Sequence, residues 1–170
     1  FSTVDLSDRI PSLQQRSRQG HSLLRRSRTA IASADRVLLS SWMLLFEGQG
    51  PLVAACTSED DCLLRLQSSN ATLLLCTDNL EGGSGTSLVR RARERNPDLK
   101  VLMLLQRPIP RTILEAIDAR CHGLCSAQAT GSGTVAAALT AIETDGQYID
   151  PLISGVLHPV SYTHLRAHET

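Results

Sequence analysis

Five short apolar runs, at residues 29–32, 52–56, 72–76, 101–105 and 123–125, are separated by stretches whose apolar residues recur at helical spacing. Runs this short, rich in Leu, Val, Ala and Cys, read as strands buried on both faces. The intervening segments read as helices. Asp35 to Glu47 carries Val37, Leu38, Trp42, Leu45 and Phe46 on a helical period, and Ser58 offers an N-cap to a helix with Leu63, Leu64 and Leu66. Ser87 to Glu94 is a third helix, ended by Asn96-Pro97-Asp98. Pro110 opens a fourth containing Ile113, Leu114 and Ile117, and Val135 to Ile142 forms a fifth after Thr130-Gly131-Ser132-Gly133. Strands alternating with helices imply an α/β fold, a five-stranded parallel sheet with helices on both faces. Chemistry in such sheets gathers at the carboxyl ends of the strands.

A chain of 170 residues suits one domain with flanking segments. Hydrophobic residues make up 42% and aromatics 3%, so aliphatic side chains must build the core. The formal net charge is zero and Lys100 is the sole lysine, which gives no broad basic field for nucleic acid. No apolar run reaches the ~18 residues of a membrane helix, and no signal peptide opens the chain, so a cytoplasmic protein without membrane contact is expected. Residues 1–27 form an arginine-rich extension with an expected helix from Ser12 to Arg26. Its Arg16, Arg18, Arg25 and Arg26, with Arg28, read as a solvated face. Cys56, Cys62, Cys76, Cys121 and Cys125 include no CxxC pair, which points to small buried thiols and away from a zinc site.

The strand ends carry a family resemblance. Ala71 to Gly85 (ATLLLCTDNLEGGSG) resembles the stretch of response-regulator receivers in which a buried strand ends in the phosphoacceptor aspartate and a loop leads to a glycine. Arg28 to Trp42 resembles the opening strand and helix of receivers of the NarL type, and Gly146 to Ile153 resembles the linker to their helix-turn-helix DNA-binding domain. The resemblance spans residues 28 to 153 and implies a CheY-like (flavodoxin-like) fold. It divides the chain into a receiver-like domain at 28–145 and a linker at 146–159 toward a missing DNA-binding domain. The segment 160–170 resembles translated vector or adaptor sequence and is expected to be a non-native tail.

The resemblance also marks departures. Counting back from Gly85 places Thr77 at the phosphoacceptor position, with Asp78 one residue late. The two acidic magnesium-holding positions fall on Ser33 and Ala34, with Asp35 one residue late. Leu105 stands where the family has its switch hydroxyl, and Ala127 where it has its lysine. Magnesium demands hard oxygen ligands, and a threonine forms no acyl phosphate. A degenerate pocket is therefore expected, with no cofactor and no catalytic residue. Nearby carboxylates have simpler readings: a helix N-cap for Asp35, and satisfaction of local backbone groups for Asp78. In the alternative, a bulge brings Asp78 and Asp35 into a working, magnesium-dependent phosphoacceptor site.

Other motifs carry less. Gly82-Gly83-Ser84-Gly85 lacks the residues of a P-loop, and no GxSxG elbow accompanies the chain's Ser, His and Asp residues. His122 reads as a surface residue, and His164 and His168 lie in the tail. The implied function is a non-enzymatic signalling module in a two-component transcription regulator. It would act by protein–protein contact, as a homodimer or with another signalling protein. The pairing face implied by the family comprises Arg111–Ala119, Gly123–Ser126 and Val135–Thr144, with Ile113, Leu114, Ile117, Leu124, Ala137 and Leu139 as its apolar members. DNA contact would come only through the missing C-terminal domain.

Overall fold

The computed structural model describes residues 3, 5, 7–11, 21–129 and 132–157. The elements in chain order are α1 (Ser22–Arg26), β1 (Thr29–Ala32), α2 (Arg36–Phe46), β2 (Leu52–Cys56), α3 (Glu59–Ser69) and β3 (Leu73–Thr77). They continue with α4 (Gly85–Arg95), β4 (Lys100–Leu105), α5 (Pro110–Asp118), β5 (Gly123–Ser126), α6 (Thr134–Glu143), β6 (Tyr148–Ile149) and α7 (151–157). The strands form one sheet in the order β2-β1-β3-β4-β5-β6, and every pairing is parallel. This is the α/β architecture expected, with a sixth strand added beside β5.

Burial on both faces explains why the strands are continuous apolar runs. Within each strand the side chains alternate between two cores. Ala30, Ala32, Leu74, Cys76, Val101, Met103 and Leu105 face α3, α4 and α5, where they meet Leu63, Leu88, Val89, Ile113 and Ala116. Ile31, Leu73, Leu75, Leu102 and Leu104 face α2 and α6, where they meet Leu39, Trp42, Phe46, Leu139 and Ile142. Each fully buried Leu or Ile contributes roughly 1.5–3 kcal/mol by leaving water.

Helix starts follow from local chemistry. The Asp35 carboxylate accepts from the amides of Val37 and Leu38, both at 3.1 Å, and Ser58 Oγ accepts from Asp61 at 3.3 Å. Pro110 opens α5 with a fixed φ and no amide proton to satisfy.

Both flanks differ from expectation. Only the end of the expected N-terminal helix falls on described residues, and there it is the single short helix α1. Leu23 and Leu24 insert into the core, and α1 is tied to α6 by hydrogen bonds from Ser22 to Glu143 and between His21 Nε2 and Thr140 Oγ1. Arg26 adds an ion pair to Glu143 at 3.4 Å. Arg16 and Arg18 lie outside the described residues, as do His164, His168 and the expected tail at 160–170.

The described part of the segment read as a linker, 146–157, is built into the fold. Tyr148 and Ile149 pair with Gly123 and Leu124, and Ile153 of α7 is fully buried in the core beside α5. Asp150, 1% exposed, accepts from the amides of Ser126 (3.0 Å) and Leu152 (2.8 Å), and so joins the end of β5 to the start of α7.

Candidate functional site

The carboxyl ends of β1 and β3 are adjacent, and they bring together two of the singled-out positions. Ser33 and Thr77 are both 0% exposed. Thr77 Oγ1 lies 2.9 Å from Ser33 Oγ and 2.9 Å from the carbonyl oxygen of Asn79. The Thr77 hydroxyl donates, its one proton shared between the Ser33 oxygen and the Asn79 carbonyl. Ser33 Oγ in turn accepts from the Asp35 amide at 3.0 Å. The result is a closed chain of neutral hydrogen bonds with no carboxylate at its centre.

Asp35 and Asp78 do not join this chain. Asp35 is spent on capping α2. Asp78 turns toward the loop after β4, where its carboxylate accepts from the amides of Gln106 (2.8 Å) and Arg107 (3.2 Å). One anion thus clamps the loops that follow β3 and β4. Leu105 is fully buried in the core and presents no hydroxyl to the strand ends, and Ala127 begins a single 3-10 turn, Ala127–Ala129.

The loop after β3 is closed down over these ends. The Ala34 amide donates to the Asn79 carbonyl at 3.0 Å, and the Glu81 amide to Thr57 at 2.8 Å. The Glu59 amide donates to Gly82 at 2.8 Å. Glu81 pairs with Arg36 at 2.7 Å, and that guanidinium holds its carboxyl below the ordinary range. Glycine is required at two places. A Cβ on Gly85 would collide with the Thr77 carbonyl, and one on Gly83, at φ 84°, with the Glu59 side chain.

Sequence reasoning missed Glu59, which anchors this loop. Its carboxylate accepts from the Ser84 amide (3.1 Å) and the Ser87 hydroxyl (2.8 Å), and pairs with Arg91 at 2.6 Å. Burial pushes its pKa up, but the bonds from Arg91, Ser84 and Ser87 outweigh that and leave it below the usual carboxylate range. The only local signal was a Ser-Glu-Asp helix start, which says nothing of burial.

A magnesium ion does not fit the donors present. The positions implied for it hold two hydroxyls already engaged with each other and the methyl group of Ala34, and magnesium prefers carboxylate oxygens and water in an octahedron. Among the described residues, no group of three or more His, Cys, Asp or Glu side chains is placed to hold a metal. No described helix is long and apolar enough to cross a membrane.

The expected pairing face needs correction. Ile113, Leu124 and Leu139 are 0%, 2% and 4% exposed. They are core residues and offer nothing to a partner: the helical period of α5 and α6 turns Ile113 and Leu139 inward, and Leu124 sits in β5 between β4 and β6. β5 itself is covered by β6. Leu114 and Ile117 are 56% and 40% exposed, and Ala137 is exposed as well. Ile149 on β6, Leu152 on α7 and Ile109 before α5 are also exposed apolar residues. His122 is half-buried, not a surface residue, and its Nδ1 accepts from the Val101 amide at 3.1 Å.

No protein-family model matches the chain, and no curated protein matches it. Solved structures do. The chain is similar to the isolated REC domain of RcsB from Salmonella enterica serovar Typhimurium, solved in the presence of phosphomimetic BeF3−. The identity is 18% and the TM-score 0.69, over 77% of this chain and 98% of that one. It is similar to a LuxR-family two-component response regulator from Aurantimonas sp. SI85-9A1, at 15% identity and a TM-score of 0.71, over 80% of this chain and 98% of that one. It is also similar to RcsB from the same Salmonella bound to promoter DNA, at 17% identity and a TM-score of 0.72, over 82% of this chain and 70% of that one. The chain therefore has the CheY-like receiver fold.

Proposed function

We propose that this chain is a receiver-like module of a two-component transcription regulator that works by protein–protein contact and without phosphorylation. The carrying observation is the neutral Ser33–Thr77–Asn79 hydrogen-bond chain at the strand ends. Phosphoryl transfer to a receiver needs a carboxylate nucleophile, a metal to spread charge and a cation to offset what develops. Hydroxyls bonded to one another, an alanine methyl and an alanine in the lysine position supply none of these. Asp78 is the alternative acceptor. Its two oxygens are committed to the amides of Gln106 and Arg107, on the side of the loop after β4. In our reading, that carboxylate holds the β4–α5 loop to the end of β3 without any phosphoryl group.

The partner we assign is a second copy of the chain, through the exposed apolar residues Leu114 and Ile117 of α5 with Ile149 of β6. Ile117 and Ile149 flank one surface groove of about 460 Å³. DNA contact, if the parallel with RcsB holds, belongs to chain outside these 170 residues. Sedimentation equilibrium tests this. The expected result is reversible dimerisation that acetyl phosphate with magnesium leaves unchanged and that Leu114→Glu or Ile117→Glu weakens by at least tenfold. Association that appears only with the phosphodonor, or a monomer at every concentration, would overturn the reading.

A further inference from the structure

The groove flanked by Ile117 and Ile149 lies at the amino ends of β5 and β6, beside the last turn of α4 and the end of α5. It is at the opposite end of the strands from Ser33 and Thr77. Its volume of about 460 Å³ falls in the range of roughly 300–1,000 Å³ common for small-molecule sites. Arg93 and Arg120 are its only charged lining residues, and no carboxylate lines it. Acids of the surrounding segments are engaged elsewhere: Asp118 pairs with Arg90 at 2.9 Å and Asp145 with Lys100 at 3.1 Å. Glu94 lines the adjoining groove and pairs with neither arginine among the described residues.

Arg93 is held in one pose. Its Nη1 donates to the Arg120 carbonyl at 2.6 Å and its Nη2 to the Pro97 carbonyl at 3.2 Å. Its Nε is buried and has no partner among the described residues. Both acceptors are neutral, so the guanidinium charge is uncompensated. Arg120 takes the left-handed conformation, φ 64°, where the chain turns from α5 toward β5. Its side chain is exposed and forms no ion pair among the described residues. His122 adds a neutral donor. Its Nδ1 accepts from the Val101 amide at 3.1 Å, so the ring proton is on Nε2, which has no partner among the described residues. Burial, with Arg93 and Lys100, pushes the His122 pKa down to about 4 and keeps the ring uncharged at neutral pH. Ile117, Leu124 and Ile149 supply apolar wall.

A solvated surface arginine is ordinary and marks nothing by itself. Here two uncompensated guanidinium groups, one of them fixed by the backbone, share a groove with a neutral donor and an apolar wall. We propose that this groove binds an organic monocarboxylate with an apolar body. The remaining N–H groups of Arg93 and Arg120 take the carboxylate, whose planar pair of oxygens suits a guanidinium fork. The Nε2–H of His122 is a further donor to the same oxygens. The hydrocarbon body covers Ile117, Leu124 and Ile149 and leaves water. A bare phosphate gains the charge contacts without the apolar ones. Ile117 and Ile149 also belong to the face assigned to a second copy, so the ligand competes with pairing. That consequence rests on the pairing reading, whereas the binding does not.

The test is an amide-resolved NMR titration with octanoate, with octanamide and inorganic phosphate as controls. It is run on the unaltered chain and on Leu114→Glu, which is expected to weaken pairing and leaves the lining of the groove intact. The expected result is saturable octanoate shifts centred on the amides of His122, Leu124 and Ile149. Octanamide and phosphate should each bind at least tenfold more weakly, and Arg120→Gln should lose at least tenfold in octanoate affinity with its spectrum otherwise that of the parent. Tighter binding to Leu114→Glu than to the parent would support the site and the competition together. Equal binding to both, with the pairing equilibrium unmoved by octanoate, would support the site and overturn the competition. No saturable shift in either protein, equal affinity for octanamide, or full affinity in Arg120→Gln would overturn the proposal.

Discussion

The hydroxyl of Thr77, at the end of β3, lies 2.9 Å from that of Ser33, just past the end of β1. Both are fully buried, so their hydrogen bonds must be made inside the protein. The chain that continues to the Asn79 carbonyl and the Asp35 amide is local in sequence only in part: it joins two strands 44 residues apart.

Thr77→Val keeps the shape and removes the hydroxyl, which leaves Ser33 Oγ and the Asn79 carbonyl without that partner. A loss of about 1–3 kcal/mol is expected, the cost of buried polar groups left unsatisfied. Thr77→Ser should retain most of the stability. Urea denaturation of the three proteins measures this, and a Thr77→Val variant as stable as the parent would show that the hydrogen-bond chain contributes nothing.

Asp78 should prove to be a clamp on the β4–α5 loop. In Asp78→Ala the amides of Gln106 and Arg107 lose a charged acceptor, an interaction of roughly 1.5–3 kcal/mol. Hydrogen exchange read by NMR should accelerate at those two amides by at least tenfold, while the amides within β3 and β4 stay protected. Uniform acceleration across the sheet would mean that the residue serves global stability instead.

The fold was legible from the strands because burial on both faces leaves continuous apolar runs that few other structures produce. β6 was not legible: two residues carry no periodicity, and a family resemblance pointed to a linker. The buried Asp150 that ties β5 to α7 was missed for the same reason. Counting back from Gly85 singled out Thr77, and the resemblance of the first strand singled out Ser33, but nothing local to either says that they meet, since their contact depends on strand order. Glu59 finds its partners at the start of α4 and within it, Asp78 finds its own in the loop after β4, and charged residues are ordinarily exposed. The assignment of Ile113, Leu124 and Leu139 to a pairing face followed segment boundaries; it ignored the helical phase of Ile113 and Leu139 and the burial of Leu124 within the sheet. In α5 that phase puts Ile113 and Ala116 inside and Leu114 and Ile117 outside.

His122 gives the protein an acid-sensitive element. Burial, with the nearby charges of Arg93 and Lys100, pushes its pKa down to about 4, against an opposing pull from Asp145. The folded protein then binds fewer protons at this site than the unfolded chain between pH ~6.5 and that lowered value. Stability should fall as the pH drops through this window and level off below it, by about 1–2 kcal/mol once solvent screening of a half-exposed ring is allowed for. His122→Gln should flatten that part of the profile in thermal melts from pH 7.5 to 4. An unchanged slope would place the acid sensitivity elsewhere.

The central claim is that this receiver fold carries no phosphoryl switch. The most direct measurement is intact mass after incubation with acetyl phosphate and magnesium, with Asp78→Asn as control and circular dichroism to establish folding. The account predicts no mass increase in either protein. A gain of one phosphoryl group that disappears in Asp78→Asn would contradict it and make Asp78 the acceptor.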